Sequence, residues 1–529
     1  MPTTVLTRNV SDAFRLRPGG PLAWPAGRAL LSMAVPLGVL LAIGRLDLLP
    51  GAVFGALTSV HCRNEAHPRQ ARTLGVVAIG MVAAVTTGDL IAVFAGGQPW
   101  HEPIAMLATA LAGAIGTVAA TAVKIGPPGG LIFTFAVGAC SHLPLQAAGL
   151  GAHFLTIVAS TAFAWTVTVL GTAASGLNPQ RRAVAAALDA TADALADRAD
   201  LALRHRAAVA VETAWNGVAL VGRRQRDTGP HRDLVRAVEN CEALLSPDAP
   251  AVQVHEVRTA AREVRAGRPF AEPHGRESAP AVPPTPVSRW WIIRDVLRAA
   301  LLPHRVKSWL MPYAARVVLA ALLAGVAAGL LGIEQTYWAA VSAVSILQAT
   351  STAGSVPRML QRVCGTVLGV LVAVAVLHAG PPVWVLVVLL AVLQWGAEMT
   401  VTVNYAFGLL FATPVALLVS ALGTASDPGV LGWNRFWATL LGAAIAVAVA
   451  WALPNRAWLS RVQAALTRVR RLSESRPLQP ARLRSALVEL HEAHDVAAGE
   501  VRPSELPTEE LLELSHRAYA LLDATPARR

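Results

Sequence analysis

The chain has 529 residues, 54% of them hydrophobic and only 15% charged, with a mean hydropathy of +0.49 and a formal net charge of +12. Soluble globular domains carry roughly 25% charged residues, so this composition argues against a water-soluble enzyme and makes lipid part of the solvent. The basic residues sit beside apolar runs, not in tracts interleaved with aromatics, which argues against a nucleic-acid module; Cys62, Cys140, Cys241 and Cys364 are too scattered for a zinc site or a disulfide framework.

Residues 1–27 read as a polar N-terminal segment carrying Arg8, Arg15 and Arg17. No small-residue cleavage site follows the first apolar run, so the first span is expected to stay as an anchor. A crossing helix needs about 20 mostly apolar residues. In the first membrane half, residues 28–177, the expected spans are Arg28–Gly44, Leu48–Val60, Thr73–Phe94, Pro103–Val123, Leu131–Leu145 and Ala152–Ser175. The second is short, with Pro50 and Gly51 near its start.

Residues 178–312 read as a polar helical domain followed by a Pro-rich linker, Ala271–Ser288. Val184, Leu188, Ala192 and Leu195 recur at helical spacing, as do Leu234, Val238, Cys241 and Leu245. Arg289–Leu302, with Trp290 and Trp291, is expected to lie along the membrane surface. The second membrane half, residues 313–454, gives spans at Ala314–Ile333, Thr336–Gln348, Val363–His378, Val383–Met399, Tyr405–Leu422 and Phe436–Leu453. The tail, residues 455–529, gives amphipathic helices marked by Val462, Leu466 and Val469, by Leu483, Leu487 and Leu490, and by Leu511, Leu514, Ala518 and Leu521. These are expected to pack on each other or across a dimer. The fold class is thus an all-α polytopic membrane protein of about twelve spans in two halves, with polar helical domains.

Arginine placement sets the expected orientation. Arg28, Arg63, Arg69, Arg72, Lys124, Arg181 and Arg182 flank the first-half spans on one side, and Arg305, Lys307, Arg316, Arg358, Arg362, Arg456 and Arg461 do so in the second half. The opposite side carries mainly Asp47, Asp89, Glu102, Glu334 and Asp427, with Arg45 and Arg435 as exceptions. The positive-inside rule then puts both termini and the central domain in the cytoplasm of a cell-membrane protein. An internal repeat fits this count. Arg28 and Gly44 correspond to Arg316 and Gly332 at one offset, and Arg72-x-x-Gly75 to Arg362-x-x-Gly365 at an offset two residues longer. Halves in the same orientation would be parallel repeats, as in one class of transporters.

Within the second half, Tyr337-Trp338-Ala339, Arg362-x-x-Gly365-Thr366-x-x-Gly369, Asn404-Tyr405 and Thr413-Pro414 form a set. On these residues the chain resembles the fusaric acid resistance (FUSC)-like proteins, which include aromatic acid exporters, over Ala314–Leu453. The first half resembles them more weakly, with Leu49-Pro50 in place of Tyr-Trp. The resemblance implies a cytoplasmic-membrane efflux protein for small organic acids. It also suggests kinship with plant malate channels, in which two six-span units form one anion pathway.

Six residues are candidates for a substrate or pore site. Lys124, one of two lysines in the chain, ends the fourth span before Ile125-Gly126-Pro127-Pro128-Gly129; it would meet a substrate carboxylate, or it is a topology lysine reaching the headgroups. Glu398 occupies the corresponding hairpin of the second half. It would take up a proton as substrate leaves, pair with Lys124 across the halves, or be a plain solvated loop acid. Arg72 and Arg362 would flank the inner mouth and attract anions, or contact lipid phosphate. Asn404 and Thr413 would hydrogen-bond substrate or link helices.

Gly75, Gly80, Gly325, Gly365 and Gly369 suit close helix packing, and no Gly-rich stretch precedes Lys-Ser or Lys-Thr as in a Walker A loop. His61, His142, His153 and His378 show no metal-ligand spacing, and no nucleophile elbow is present. The expectation is therefore no enzyme, no metal and no cofactor. The reading is a transporter exporting small, aromatic organic acids, driven by the proton gradient or membrane potential. The alternatives are an anion channel without proton coupling, and a membrane-anchored scaffold acting through its polar helices. Expected partners are the lipid bilayer and the organic anion, with no nucleic acid; a homo-oligomer and a separate adaptor protein stay open.

Overall fold

A computed structural model describes residues 13–16, 23–63, 67–123, 125–198, 200–221, 228–245, 253–270, 310–348, 352–423, 427–476, 478–500 and 505–524. Lys124, the linker Ala271–Ser288 and the surface helix expected at Arg289–Leu302 lie outside these residues. Among the described residues there are helices and no strand. In chain order they are α1 (Ala23–Ala42), α2 (Leu49–Ala56), α3 (His67–Ala95), α4 (His101–Val123), α5 (Leu131–Cys140) and α6 (Ala147–Ala174); then α7 (Asn178–Ala196), α8 (Leu201–Ala219), α9 (Gly229–Leu244) and α10 (Val254–Ala266). Next come α11 (Leu310–Leu330), α12 (Tyr337–Leu347), α13 (Thr352–His378), α14 (Val383–Thr400), α15 (Tyr405–Gly423) and α16 (Pro428–Ala452), and finally α17 (Ala457–Glu474), α18 (Pro480–Ala498) and α19 (Thr508–Asp523).

Two compact units emerge. The first combines residues Met1–Arg63, Arg72–Gly171 and Arg289–Asn455; the second combines Asn64–Ala71, Thr172–Ser288 and Arg456–Arg529.

The first unit is the membrane unit. Among the described residues nine helices are long and apolar enough to cross a bilayer, namely α1, α3, α4, α6, α11, α13, α14, α15 and α16. The other three expected spans are shorter. α2, α5 and α12 have 8, 10 and 11 residues. At 1.5 Å rise per residue none covers a hydrocarbon core of about 30 Å. Short helices survive at membrane depth only when protein surrounds their open ends. Accordingly every residue of α2 and of α12 is buried.

Glycine and serine set how closely these short helices approach their neighbours. A Cβ on Gly55 of α2 would lie 2.6 Å from Ser160 Cβ of α6, and Ser160 Oγ donates to the Ala52 carbonyl at 2.7 Å. On the other side, a Cβ on Gly442 of α16 would run into the Ala339 carbonyl of α12. The open carbonyl of Leu347 at the end of α12 accepts from Tyr313 Oη at 2.8 Å. Small residues thus replace side-chain interdigitation with backbone contact, the usual solution where lipid gives no hydrophobic drive.

Packing between the two halves is reciprocal. α1 packs on α14 while α11 packs on α4; α2 meets α15 while α12 meets α5. Several arginines read from the sequence as loop markers lie inside helices instead. Arg28 in α1, Arg316 in α11 and Arg435 in α16 are all buried. Arg28 Nη1 donates to the Thr168 carbonyl of α6 at 3.1 Å, and α1 begins before it, at Ala23. Asp89 is likewise no loop residue: it is buried in α3, with His153 Nδ1 of α6 at 2.7 Å from its Oδ2.

The second unit is polar. Val184, Leu188, Ala192, Leu234, Val238 and Cys241 are buried in one core with Trp215 and Val257, so the helical spacing marked the buried faces. The tail helices α17, α18 and α19 pack on each other, and α18 also packs on α8. Arg484 of α18 pairs with Glu242 of α9 at 2.8 Å.

Candidate functional site

One cavity of ≈ 140 Å³ lies within the membrane unit, lined from both halves. The short helices supply its apolar wall: Phe54 from α2, Phe135 from α5 and Trp338 from α12. Their rings form a continuous ladder. Phe54 and Phe135 are edge to face with centroids 4.9 Å apart, and Phe135 lies 4.8 Å from Trp338. An engineered apolar cavity of about 150 Å³ in another protein takes up benzene. The space here therefore fits one aromatic ring.

The long helices supply the charge. Arg362 of α13 is 1% exposed and Arg435 of α16 is 3% exposed. Arg362 donates to Tyr405 Oη at 2.9 Å and reaches Ser342 Oγ at 3.4 Å, while its Nε has no hydrogen-bond partner among the described residues. The Arg435 guanidinium carbon sits 3.7 Å from the Trp338 ring centroid, a cation–π contact. Its Nε and Nη1 have no hydrogen-bond partner among the described residues. Neither arginine has a carboxylate within ion-pair distance among those residues. A buried guanidinium without a counter-charge is costly. Two of them face one apolar cavity, and the planar guanidinium fork has the geometry that matches a carboxylate.

At a third wall, Arg63 and Glu398 neutralise each other. Arg63 Nε and Nη2 donate to the two carboxylate oxygens of Glu398, each at 2.6 Å. Arg63 follows Cys62, whose φ of 57° is a left-handed conformation that a side chain rarely adopts. That turn ends the segment running from α2 through the 3₁₀ turn Leu57–Val60, beside the Arg63 that reaches Glu398.

The six sequence candidates separate. Glu398, Arg362 and Thr413 line the same cavity. Thr413 is buried, and its Oγ1 has no hydrogen-bond partner among the described residues. Asn404 is not among the residues lining this cavity; it acts as a cap, its Oδ1 accepting from the Ala406 backbone N–H at 2.9 Å and its Nδ2 donating to the Ala13 carbonyl at 3.0 Å. Arg72 does not mirror Arg362. It is exposed, near the start of α3, whereas Arg362 lies deeper in α13 and is enclosed. A mouth flanked by both arginines is therefore not what forms. Lys124 lies outside the described residues, and the partner found for Glu398 is Arg63.

Arg63, Arg435 and Trp338 were missed as site residues. Arg63 carries no local signal, because its partner is 335 positions away. Arg435 did carry one. Leu431, Arg435, Ala438 and Gly442 recur at helical spacing and are all buried, while Trp433 and Trp437 on the other face are exposed. The helical period set the arginine on the inward face.

The glycines of the Arg362-x-x-Gly365-x-x-x-Gly369 motif bring α13 onto α15. A Cβ on Gly365 would lie 2.8 Å from Leu409 Cβ, and one on Gly369 would lie 2.7 Å from Thr413 Cβ. Close packing is their structural role, as the sequence suggested.

Residues 322–449, from within α11 to within α16, match the family described as fusaric acid resistance protein-like. The uncharacterized membrane protein YvaC of Bacillus subtilis (strain 168) is 27% identical over 209 residues, covering 37% of this chain and 33% of that protein. The match thus spans about a third of the relative's length. No solved structure matches the chain. Trp338, Arg362, Glu398, Tyr405, Thr413 and Arg435 all fall inside the matched region. The chain is a polytopic α-helical membrane protein whose second membrane half is similar, over residues 322–449, to the fusaric acid resistance protein-like family.

Proposed function

We propose that the chain is a membrane transporter that exports small aromatic organic acids. The observation that carries this reading is the pairing, in one ring-sized cavity, of an aromatic ladder with two buried arginines that lack an acidic partner among the described residues. The ring of the substrate would stack among Phe54, Phe135 and Trp338. Its carboxylate would meet Arg362 and Arg435, whose desolvation cost it offsets.

Coupling to the proton gradient is assigned to Glu398. In the state described, both carboxylate oxygens of Glu398 accept from Arg63. A proton arriving there would release Arg63 and open that wall of the cavity, so proton entry and anion exit would alternate. The buried Asp89–His153 pair is a second protonatable site within the same unit. The cytoplasmic position of both termini belongs to this proposal too.

Binding comes before transport, and it is measurable on the purified chain. Benzoate should protect the wild type from thermal unfolding, and Arg362→Gln or Arg435→Gln should remove the protection. Equal protection in all three proteins would contradict the site.

A further inference from the structure

Outside the cavity, three side chains with metal-binding chemistry converge. His101 and Glu102 open α4, and His142 follows the end of α5. One ligand atom from each lies within 4.8 Å of the others. No spacing in the sequence announces the group, because 40 positions separate Glu102 from His142.

The backbone fixes which nitrogen of each ring faces inward. His101 Nε2 lies 2.8 Å from the Ser141 carbonyl, and His142 Nδ1 lies 2.8 Å from the Gly138 carbonyl. A carbonyl oxygen only accepts, so each of those nitrogens carries its proton. In the neutral rings the lone pairs then sit on His101 Nδ1 and His142 Nε2. These two atoms face Glu102 Oε1, at 3.7 Å and 3.0 Å. Two lone pairs aimed at a carboxylate repel unless a cation lies between them: a proton on His142 Nε2 relieves that one contact, and a metal ion relieves both. Carbonyls holding the outer N–H of a metal-ligating histidine are the usual supporting arrangement. Tetrahedral zinc at roughly 2.0–2.2 Å from its ligands holds them about 3.3 Å apart, which the two observed separations bracket.

We propose that His101 Nδ1, His142 Nε2 and Glu102 Oε1 bind a divalent transition metal of the zinc class, with its fourth position open to water. The donor set, two imidazoles and one carboxylate, suits zinc. The two histidine side chains are 17% and 18% exposed and Glu102 42%, so an ion has access from solvent. The site also joins the halves. The other carboxylate oxygen of Glu102 accepts from Thr336 Oγ1 at 3.2 Å, and the His142 ring lies 5.2 Å from the Tyr337 ring. Tyr337 and Trp338 begin α12, and Trp338 carries Arg435 over the cavity. A bound metal would therefore clamp the start of the short helix that forms the cavity wall. The proposal stands independently of the transported substrate.

The test uses the full-length chain in detergent, purified with a tag that contains no histidine, and titrated with Co²⁺ as a spectroscopic stand-in for zinc. The expected result is a visible ligand-field band that saturates at one ion per chain and is displaced by Zn²⁺. Glu102→Gln should weaken binding by at least about tenfold, and His101→Ala/His142→Ala should abolish the band. His378→Ala, which removes an exposed histidine at the end of α13, should leave it unchanged. Circular dichroism of each variant separates lost binding from lost folding, and X-ray absorption on the wild type reads the ligand set without any substitution. A wild type that binds no Co²⁺ or Zn²⁺ at near-neutral pH would overturn the proposal. So would a folded His101→Ala/His142→Ala variant that keeps the band, or an absorption spectrum without imidazole ligands.

Discussion

Arg63 and Glu398 meet through two hydrogen bonds of 2.6 Å, although one closes the α2 segment of the first half and the other lies in the last turns of α14 in the second. Their side chains are 11% and 5% exposed, so each charge depends on the other for solvation. Removing one partner of such a pair costs about 3–5 kcal/mol, whereas replacing both by apolar residues is often neutral. Arg63→Ala should therefore lower thermal stability strongly, and Arg63→Met/Glu398→Leu should recover most of it. The double variant should still fail to transport against a gradient. Thermal unfolding in detergent, read alongside transport, checks both parts.

Arg362 and Arg435 carry the opposite expectation. Their guanidinium groups are buried without an acidic partner among the described residues, so Arg435→Gln should leave the ligand-free protein as stable as the wild type or more so. Hydrogen bonds to charged groups contribute about 1.5–3 kcal/mol, so the same change should weaken benzoate binding by at least about tenfold. Arg435→Lys should not restore it, because an ammonium lacks the planar fork that lies over Trp338. Calorimetric titration of the three proteins decides.

Gly55 and Gly27 give a packing contrast. A side chain on Gly55 would collide with Ser160, whereas a Cβ on Gly27 of α1 meets nothing within 4 Å. Gly55→Val should cost more than about 1–3 kcal/mol, the ordinary range for overpacking, because backbone must move. Gly27→Ala should be neutral or stabilising by up to about 1 kcal/mol through helix propensity. Melting temperatures of the two variants provide the comparison.

The polar unit should lose stability in acid. His205 of α8 stacks on His491 of α18 with centroids 4.2 Å apart. Burial, and then the neighbouring His491, push the His205 pKa down to about 4. Burial also lowers that of His491. Both rings are thus held neutral in the fold, while the unfolded chain binds their protons near the ordinary value of about 6.5. The unfolded state binds more protons below that value, so stability is full above about pH 6.5 and falls as pH drops toward 4. His205→Gln/His491→Gln should flatten the profile over that window, as followed by urea unfolding at successive pH values.

Hydropathy was legible because lipid-facing and core-facing residues are both apolar: the nine long spans and three short ones stand where the apolar runs stand. Boundaries slipped where a charge was taken as an end. Arg28 reads as the first residue of the first span, yet α1 begins earlier, at Ala23, and Arg28 bonds to α6. The amphipathic faces of the polar helices were readable for a related reason, since the spacing of Val184, Leu188 and Ala192 maps directly onto burial. The cavity was legible only in part. Arg362, Glu398 and Thr413 stood out as polar residues in apolar helices, but Arg63, which pairs with Glu398, and Trp338, which lies under Arg435, are set by packing between distant helices. Pairing rules along a chain do not encode such contacts. The His101–Glu102–His142 group was hidden in the same way, by the α4–α5 hairpin that folds back over 40 positions.

Transport itself tests the central claim most directly. Proteoliposomes containing the purified full-length chain would be given labelled benzoate and an imposed pH gradient. Accumulation against the benzoate gradient, abolished by an uncoupler and lost in Arg362→Gln/Arg435→Gln, is the result this account predicts. Benzoate movement that only runs downhill would replace the carrier with a channel. The absence of movement for any aromatic acid, or equal rates in the wild type and the double variant, would contradict the account.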